Sequence, residues 1–256
     1  MISSQLGDRS KALARAFEKR GCEVHLTRLE AVHFDSTSPS GFAMPGFGTT
    51  LPDAVLVRSM GGGTFQAVTR RLSILHALGS LGVMVWNSAQ SIERCVDKSM
   101  TTFLLQQAGI STPPTFAVEG LEQAQAVAER ELPNGPLVLK PLFGAQGKGI
   151  ELIRKVEDLP APDLVADTYY LQRYIRRDGP PYRDFRVFVC AGRVVDMMIR
   201  RGDDWVTNVQ RGAVPEAVPL ALRAQLSDLA LRAARAVGAG FAGVDIVPAA
   251  DGSLPV

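Results

Sequence analysis

Apolar and polar positions alternate along the chain in two rhythms, one of period two and one of period 3.6. The opening "MISS" reads as the end of a short strand, "DRSKALARAFEKRG" as a capped helix stopped by Gly21, and "CEVHLTRL" as the next strand. A loop rich in Ser, Pro and Gly, "DSTSPSGFAMPGFGTTLP", leads to the apolar strand "DAVLVRS" (53–59). Gly61-Gly62-Gly63 then opens a helix running from Thr64 to Gly79, and "VMVWNS" is one more strand. This alternation over residues 1–96 predicts a small α/β unit with a mostly parallel sheet.

The pattern changes further on. "SIERCVDKSMTTFLLQQAGISTPPTFAV" reads as a helix ended by Gly109 and followed by a strand that starts at Pro-Pro. The helix "EQAQAVAEREL" and the strand "PLVLKPL" follow. "TYYLQRYI" (168–175), "RDFRVFVCAGRVVDMMIRR" (183–201) and "GFAGVDIVP" (240–248) are strand segments, with the strongly periodic helix "ALRAQLSDLALRAARAVG" between the last two. The second part is therefore α+β, and no internal repeat or low-complexity segment interrupts it.

Composition narrows the classes. With 256 residues, 46% of them hydrophobic and 21% charged, the chain can bury a sizeable core and form two or three small domains. Lys+Arg 28 against Asp+Glu 26 leaves a formal net charge of +2, so bulk charge argues for neither a nucleic-acid nor a membrane partner. Cys22, Cys95 and Cys190 lack metal-ligand or CxxC spacing and are expected to be reduced core thiols of a cytoplasmic protein. No window approaches eighteen consecutive apolar residues, and the N-terminus lacks the apolar region of a secretory signal.

Candidate chemistry starts at "VLKPLFGAQGKGI" (138–150), where an apolar run ends on Lys140 and three glycines follow within six positions. Such a loop lets backbone N–H groups wrap phosphate oxygens, because glycine accepts positive φ and carries no Cβ. It is not a Walker A loop, since four residues between the glycines and a hydroxyl after the lysine are missing, and not a Rossmann turn, since "IELI" continues as a strand. A ligand-free glycine hairpin is the alternative.

Neighbouring features favour a ligand. Lys140 ends a buried strand, where an ammonium is costly unless it meets an anion. "YYLQRYIRRDG" is a strand running into a polar segment whose backbone could hydrogen-bond an adenine edge, or is an ordinary strand end. Arg183, Arg186, Arg200, Arg201 and Arg211 lie partly within apolar strands and ask for carboxylate or phosphate partners, surface salt bridges being the other explanation. "AGVDIV" is expected to bury Asp245, either as a Mg²⁺ ligand or as a hydrogen-bonded structural residue.

In order and spacing, "VLVRSMGGGTF", "NSAQSIERCVDKSMTTFLLQQAGISTP", "PLVLKPLFGAQGKGI", "YYLQRYI", "RDFRVFVCAGRVV", "RRGDDWVTNVQRGA" and "AGVDIV" resemble the RimK family of ATP-dependent glutamate ligases within the ATP-grasp superfamily. The resemblance implies an ATP-grasp fold, α/β and α+β, with an N-terminal Rossmann-like (pre-ATP-grasp) domain over 1–96, a central subdomain with the glycine-rich loop over 97–172, and a C-terminal subdomain over 173–256. It implies that Lys98 and Lys140 grip nucleotide phosphates and that Gly144, Ala145, Gln146, Gly147, Lys148 and Gly149 form the loop closing over them. Gln172, Arg173, Tyr174 and Ile175 would form the adenine-binding hinge, acting mainly through the main chain, although the family often has Glu in place of Arg173. Asp184, Val206, Thr207 and Asn208 would contact nucleotide. Arg186, Arg200, Arg201 and Arg211 would lie near the γ-phosphate and the substrate carboxylate, and Asp245 would be the first Mg²⁺ ligand, with Mn²⁺ as an alternative ion.

After "GVDIV" the family returns on a strand carrying a Glu-x-Asn pair, whereas here "PAADGS" leads to "LPV" and Val256. With only "MIS" of the first strand at the other end, both termini are expected to be cut within sheet elements. The implied reaction is attack of a carboxylate on the γ-phosphate of ATP, giving an acyl phosphate that an amino acid, glutamate above all, then displaces. The implied partners are ATP, glutamate and an acidic acceptor, a protein or a pterin-, furan- or deazaflavin-like cofactor, with a homo-oligomer expected. A catalytically silent ATP-binding module is the competing reading, and a phosphotransferase that stops at a phosphorylated product is a third.

Overall fold

The computed structural model describes residues 1–3, 6–144, 147 and 149–256, which fall into two compact units, Met1–Glu93 and Arg94–Val256.

In the first unit the elements are α1 (Asp8–Glu18), the two-residue strands β1 (His33–Phe34) and β2 (Phe42–Ala43), then β3 (Ala54–Leu56), α2 (Phe65–Ser80) and β4 (Met84–Trp86). Strands β3 and β4 pair in parallel, as the βαβ pattern requires. Thr64 caps α2 by accepting a hydrogen bond from the Ala67 N–H, and Val68, Ile74, Leu75 and Leu78 form its buried face. Arg71 on that face is buried as well, and its guanidinium donates to the carbonyls of Met60, Gly61 and Gly62, so the triple-glycine turn is tied to the helix it opens.

Among the described residues, the segments "MISS" and "CEVHLTRL" pair only through single bridges. Ile2 bridges Thr27 on one side and Val57 on the other, and among the described residues the backbone bonds run over Met1–Ser3.

The helix α3 (Ala89–Val96) leads into the second unit, where the sequence pattern predicts a single helix up to Gly109. The chain instead breaks at Asp97, whose carboxylate accepts from the N–H groups of Ser99 and Met100 and caps a new helix, α4 (Lys98–Gln107). An aspartate side chain competes for backbone N–H groups and so starts helices more readily than it continues them.

Next come β5 (Thr115–Glu119), α5 (Leu121–Glu131), β6 (Leu137–Lys140), β7 (Glu151–Ile153) and β8 (Thr168–Arg173). They form an antiparallel sheet in the order β5-β8-β6-β7, with Leu137, Leu139, Tyr169 and Leu171 packed on α5. Period-two alternation then sends Val138, Lys140, Tyr170 and Gln172 to the opposite face.

The last elements are β9 (Tyr182–Cys190), β10 (Arg193–Gly202), β11 (Val214–Glu216), α6 (Leu220–Val237) and β12 (Phe241–Ile246), with the sheet order β11-β10-β9-β12. Strands β9 and β10 are joined through Ala191 and Gly192, both at positive φ, the conformation that a tight two-residue hairpin turn demands. Leu226, Ala230, Ala233, Ala234 and Val237 of α6 cover Phe185, Val187, Val189, Val244 and Ile246, and the small alanines bring the helix close to the sheet. The alternate residues Asp184, Arg186, Arg200 and Asp245 are left on the uncovered face.

This fold corrects one expectation. Cys22 and Cys95 are exposed and Cys190 is half-buried, so the cysteines are not the core residues that the sequence leads one to expect. No helix among the described residues is long and apolar enough to cross a membrane.

Candidate active site

The two charged faces of the second unit border one cavity of about 280 Å³. Its first wall comes from β6 and β8. Lys140, the last residue of β6, donates its ammonium to Gln172 Oε1 at 2.5 Å. Burial brings the Lys140 pKa down to about 8, with Lys98 adding to the effect and Asp245 opposing it.

The second wall is a set of cross-strand ion pairs fixed by register. Asp184 stands opposite Arg200 on β10, and Arg186 stands opposite Asp245 on β12. Arg200 forks onto Asp184 at 2.7 and 2.5 Å and reaches Asp245 at 3.1 Å, while Arg186 forks onto Asp245 at 2.7 and 2.6 Å. The Thr207 hydroxyl donates to Asp184 at 2.7 Å. Burial pushes the Asp184 carboxyl up against the pull of the Arg200 fork. Burial also works against the Arg200 charge, but hydrogen bonding to Asp184 and the field of Asp245 outweigh it and hold its pKa above the ordinary value.

Asp245 departs from the burial that its apolar neighbours predict. The side chain is 44% exposed, because on β12 it alternates with Val244 and Ile246, which take the core side. Its oxygens are hard donors that already attract two guanidinium groups, which stand where a cation would stand. Among the described residues no three His, Cys, Asp or Glu side chains cluster around a metal position. A single partly exposed carboxylate of this kind suits Mg²⁺ bound together with phosphate oxygens, which needs only one or two protein carboxylates.

The glycine loop forms one edge. Gly147 lines the cavity at φ +69°, and a Cβ there would sit 2.9 Å from Val206 Cγ1. Gly149 is at φ +67°, where a Cβ would meet Pro141 at 2.9 Å, so both positions exclude a side chain on two counts. Ala145, Gln146 and Lys148 of the same loop lie outside the described residues. Lys98, the first residue of α4, lies at the base of this loop and donates to the carbonyls of Pro141, Leu142 and Gly144. Burial lowers its pKa, with Asp97 opposing.

Of the residues singled out from sequence, Lys140, Gly147, Gln172, Arg173, Tyr174, Ile175, Asp184, Arg186, Arg200, Val206, Thr207, Asn208 and Asp245 line the cavity. Arg201 and Arg211 do not; they form exposed ion pairs with Glu216 at 3.1 Å and Asp204 at 3.4 Å. The Arg173 guanidinium binds Glu131 at the end of α5. The N–H groups of Arg173 and Tyr174 are committed to the carbonyls of Pro114 and Pro136, so these two donors are not open to an adenine.

Sequence reasoning passed over Trp205, which also lines the cavity and meets the Tyr174 ring edge-on at 5.7 Å. It likewise passed over Arg177, whose guanidinium donates to the Trp205 carbonyl and lies over the Tyr182 ring. A tryptophan within the polar run "RGDDWVTN" was the available signal for the first.

Residues 95–256 match the RimK-like ATP-grasp domain. The chain belongs to the RimK-like ATP-grasp family. Among curated relatives of this family member, tetrahydromethanopterin:alpha-L-glutamate ligase of Methanosarcina acetivorans is 34% identical over 215 residues, covering 77% of this chain and 64% of that protein. N-acetylaspartylglutamate synthase A of Homo sapiens is 32% identical over 214 residues, covering 81% and 53%. The chain thus spans about two-thirds or less of the length of these relatives. Among solved structures, a RimK domain ATP-grasp protein from Sphaerobacter thermophilus superposes with TM-score 0.72 at 22% identity over 99% of this chain and 87% of that one. The ATP-grasp ligase PsnB complexed with minimal precursor gives 0.69 at 20% identity over 100% and 87%. These likenesses establish the ATP-grasp fold, with its α/β and α+β parts.

Proposed function

We propose that this chain is the core of an ATP-dependent carboxylate–amine ligase that adds glutamate to an acidic acceptor, a protein or a pterin-, furan- or deazaflavin-like cofactor. The observation that carries this reading is the convergence on one cavity of the Lys140 ammonium, the Arg186 and Arg200 guanidinium groups, the Asp245 carboxylate and the side-chain-free Gly147. Cations at that density suit a polyphosphate and a carboxylate held side by side.

In this reading Lys140 holds the nucleotide phosphates, and Lys98 fixes the base of the glycine loop by tying down three carbonyls. The apolar stretch of the cavity formed by Val138, Ile150, Tyr174, Trp205 and Val206 takes the flat base. Mg²⁺ at Asp245 would supply charge neutralisation across the phosphates. Arg186 and Arg200 line the same cavity and would present their donors to the acceptor carboxylate and the phosphoryl group it receives. Closing the loop on Val206 keeps water from the acyl phosphate until the amine attacks.

The two curated relatives described above have glutamate in their names, which supports glutamate as the amine. The test is ADP release with ATP, Mg²⁺, glutamate and a panel of pterin, deazaflavin and peptide acceptors, followed by mass spectrometry of the product. A product heavier by one glutamyl residue, formed only when all components are present, is expected. Nucleotide binding without ADP release in any combination overturns the ligase reading in favour of a silent module, and ADP release that needs no amine overturns it in favour of a phosphotransferase.

A further inference from the structure

Sequence resemblance groups Gln172 with the adenine hinge, but its side chain is occupied elsewhere. Register places Gln172 opposite both Thr115 on β5 and Val138 on β6, so its amide lies beside the side chain of Lys140 on the same face. Three hydrogen bonds run in sequence across the sheet. The Thr115 hydroxyl donates to the Pro113 carbonyl at 2.7 Å, Gln172 Nε2 donates to Thr115 Oγ1 at 2.9 Å, and Lys140 Nζ donates to Gln172 Oε1 at 2.5 Å.

The direction of this chain follows from its two ends. A carbonyl can only accept, so the Thr115 proton points at Pro113 and its oxygen is left to accept from the amide nitrogen of Gln172. An ammonium can only donate, so it demands the amide oxygen. Both ends select the same orientation, and a flipped amide would set N–H against ammonium and oxygen against oxygen. Gln172 is buried, so the lost bonds would not be replaced by water.

We propose that Gln172, locked by Thr115, is the positioning residue that aims the charged end of Lys140 into the cavity. The proposal rests on the ligase reading for its purpose, while the pairing can be measured without nucleotide. A neutral acceptor favours the ammonium form without neutralising it, so the full charge stays available to phosphate. A carboxylate at the same place would compete with the nucleotide.

The charged and titratable groups around Lys140 come from several elements: Lys98 on α4, Tyr170 on β8, Asp184 and Arg186 on β9, Arg200 on β10 and Asp245 on β12. Thr115 also hydrogen-bonds the Tyr170 side chain, so changes at Gln172 carry the decisive comparison and those at Thr115 support it. The experiment is an NMR titration of the Lys140 ¹³Cε signal in the ligand-free protein, assigned with Lys140→Arg, alongside calorimetric titration of AMPPNP and Mg²⁺ across the same pH range.

Wild type should titrate near pH 8, with nucleotide affinity falling as the ammonium is lost. Gln172→Leu should move the midpoint down by about one unit, and Gln172→Glu should move it up by about as much. Gln172→Leu should weaken AMPPNP about ten-fold at neutral pH, the size expected for loss of one charge-assisted hydrogen bond. Thr115→Val should reproduce part of both effects, and Thr115→Ser, which keeps the hydroxyl, should restore them. Coincident midpoints in wild type, Gln172→Leu and Gln172→Glu would overturn the proposal. Opposed midpoint shifts in a protein that binds no AMPPNP would uphold the pairing and sink the ligase reading instead.

Discussion

The two walls of the cavity solve opposite electrostatic problems. On the β9, β10 and β12 wall, Asp184, Arg186, Arg200 and Asp245 neutralise one another across strands. On the β6 and β8 wall, the hydrogen-bond partner of Lys140 among the described residues is a neutral amide, and its pKa is lowered. The first wall is a closed network that a ligand must rearrange, and the second holds a desolvated positive charge, only partly offset by the field of Asp245, that an incoming anion relieves. Site preorganisation is thus divided, with attraction supplied by the lysine wall and the exchangeable partners by the arginine wall.

Removing one member of the closed network should have the largest effect. Asp184→Ala leaves the buried Arg200 without its bidentate partner, and urea denaturation should show a loss of about 3–5 kcal/mol. A loss below about 1 kcal/mol would mean that Asp245 alone suffices for Arg200 and that the wall is not a cooperative unit.

The lysine wall should respond with the opposite sign. Lys140→Met removes a desolvated charge and, after the penalty of leaving Gln172 Oε1 without its donor, should raise stability at pH 7 by on the order of 1–2 kcal/mol while weakening AMPPNP binding. The folded pKa of about 8 lies below the ordinary lysine value of 10.5, so the destabilising effect is complete below pH 8 and fades as pH rises towards 10.5. Wild type should therefore gain stability across that window relative to Lys140→Met. Parallel stability curves would show that Lys140 carries no such strain.

A smaller effect is expected where the loop meets the arginine wall. Gly147→Ala combines a positive φ with a Cβ 2.9 Å from Val206 Cγ1, and should cost about 1–2 kcal/mol in AMPPNP binding by calorimetry. Adding Val206→Ala should recover the steric part and leave the backbone part, so a strictly additive double-mutant cycle would show that the two residues do not meet. Smallest of all, Arg201→Ala breaks an exposed pair with Glu216 and should change the unfolding free energy by under about 0.5 kcal/mol. A loss of several kcal/mol would place Arg201 in the closed network after all.

Much of this architecture could be read from periodicity. The strands carrying Lys140, Gln172, Asp184, Arg186, Arg200 and Asp245 were all recognisable as apolar alternations, and so was the helix that covers the second sheet. Less could be read at "CVDKSM", where Asp97 acts as a cap inside an apparently continuous helical pattern. Five arginines looked equivalent in sequence, yet two face the cavity, because neighbouring positions of a strand point to opposite faces: Arg200 turns inward to Asp184, and Arg201 outward to Glu216.

By itself the sequence determined the element types, the glycine loop, the family and the inventory of charges that any site would draw on. These depend on local spacing, which a linear reading captures. Tertiary structure alone decided that Arg186 meets Asp245, that Arg200 meets Asp184, and that Gln172 faces Lys140 with Thr115 behind it. Those pairings follow from strand register between segments 16 to 59 positions apart, and one residue of slip would turn every one of them to the opposite face.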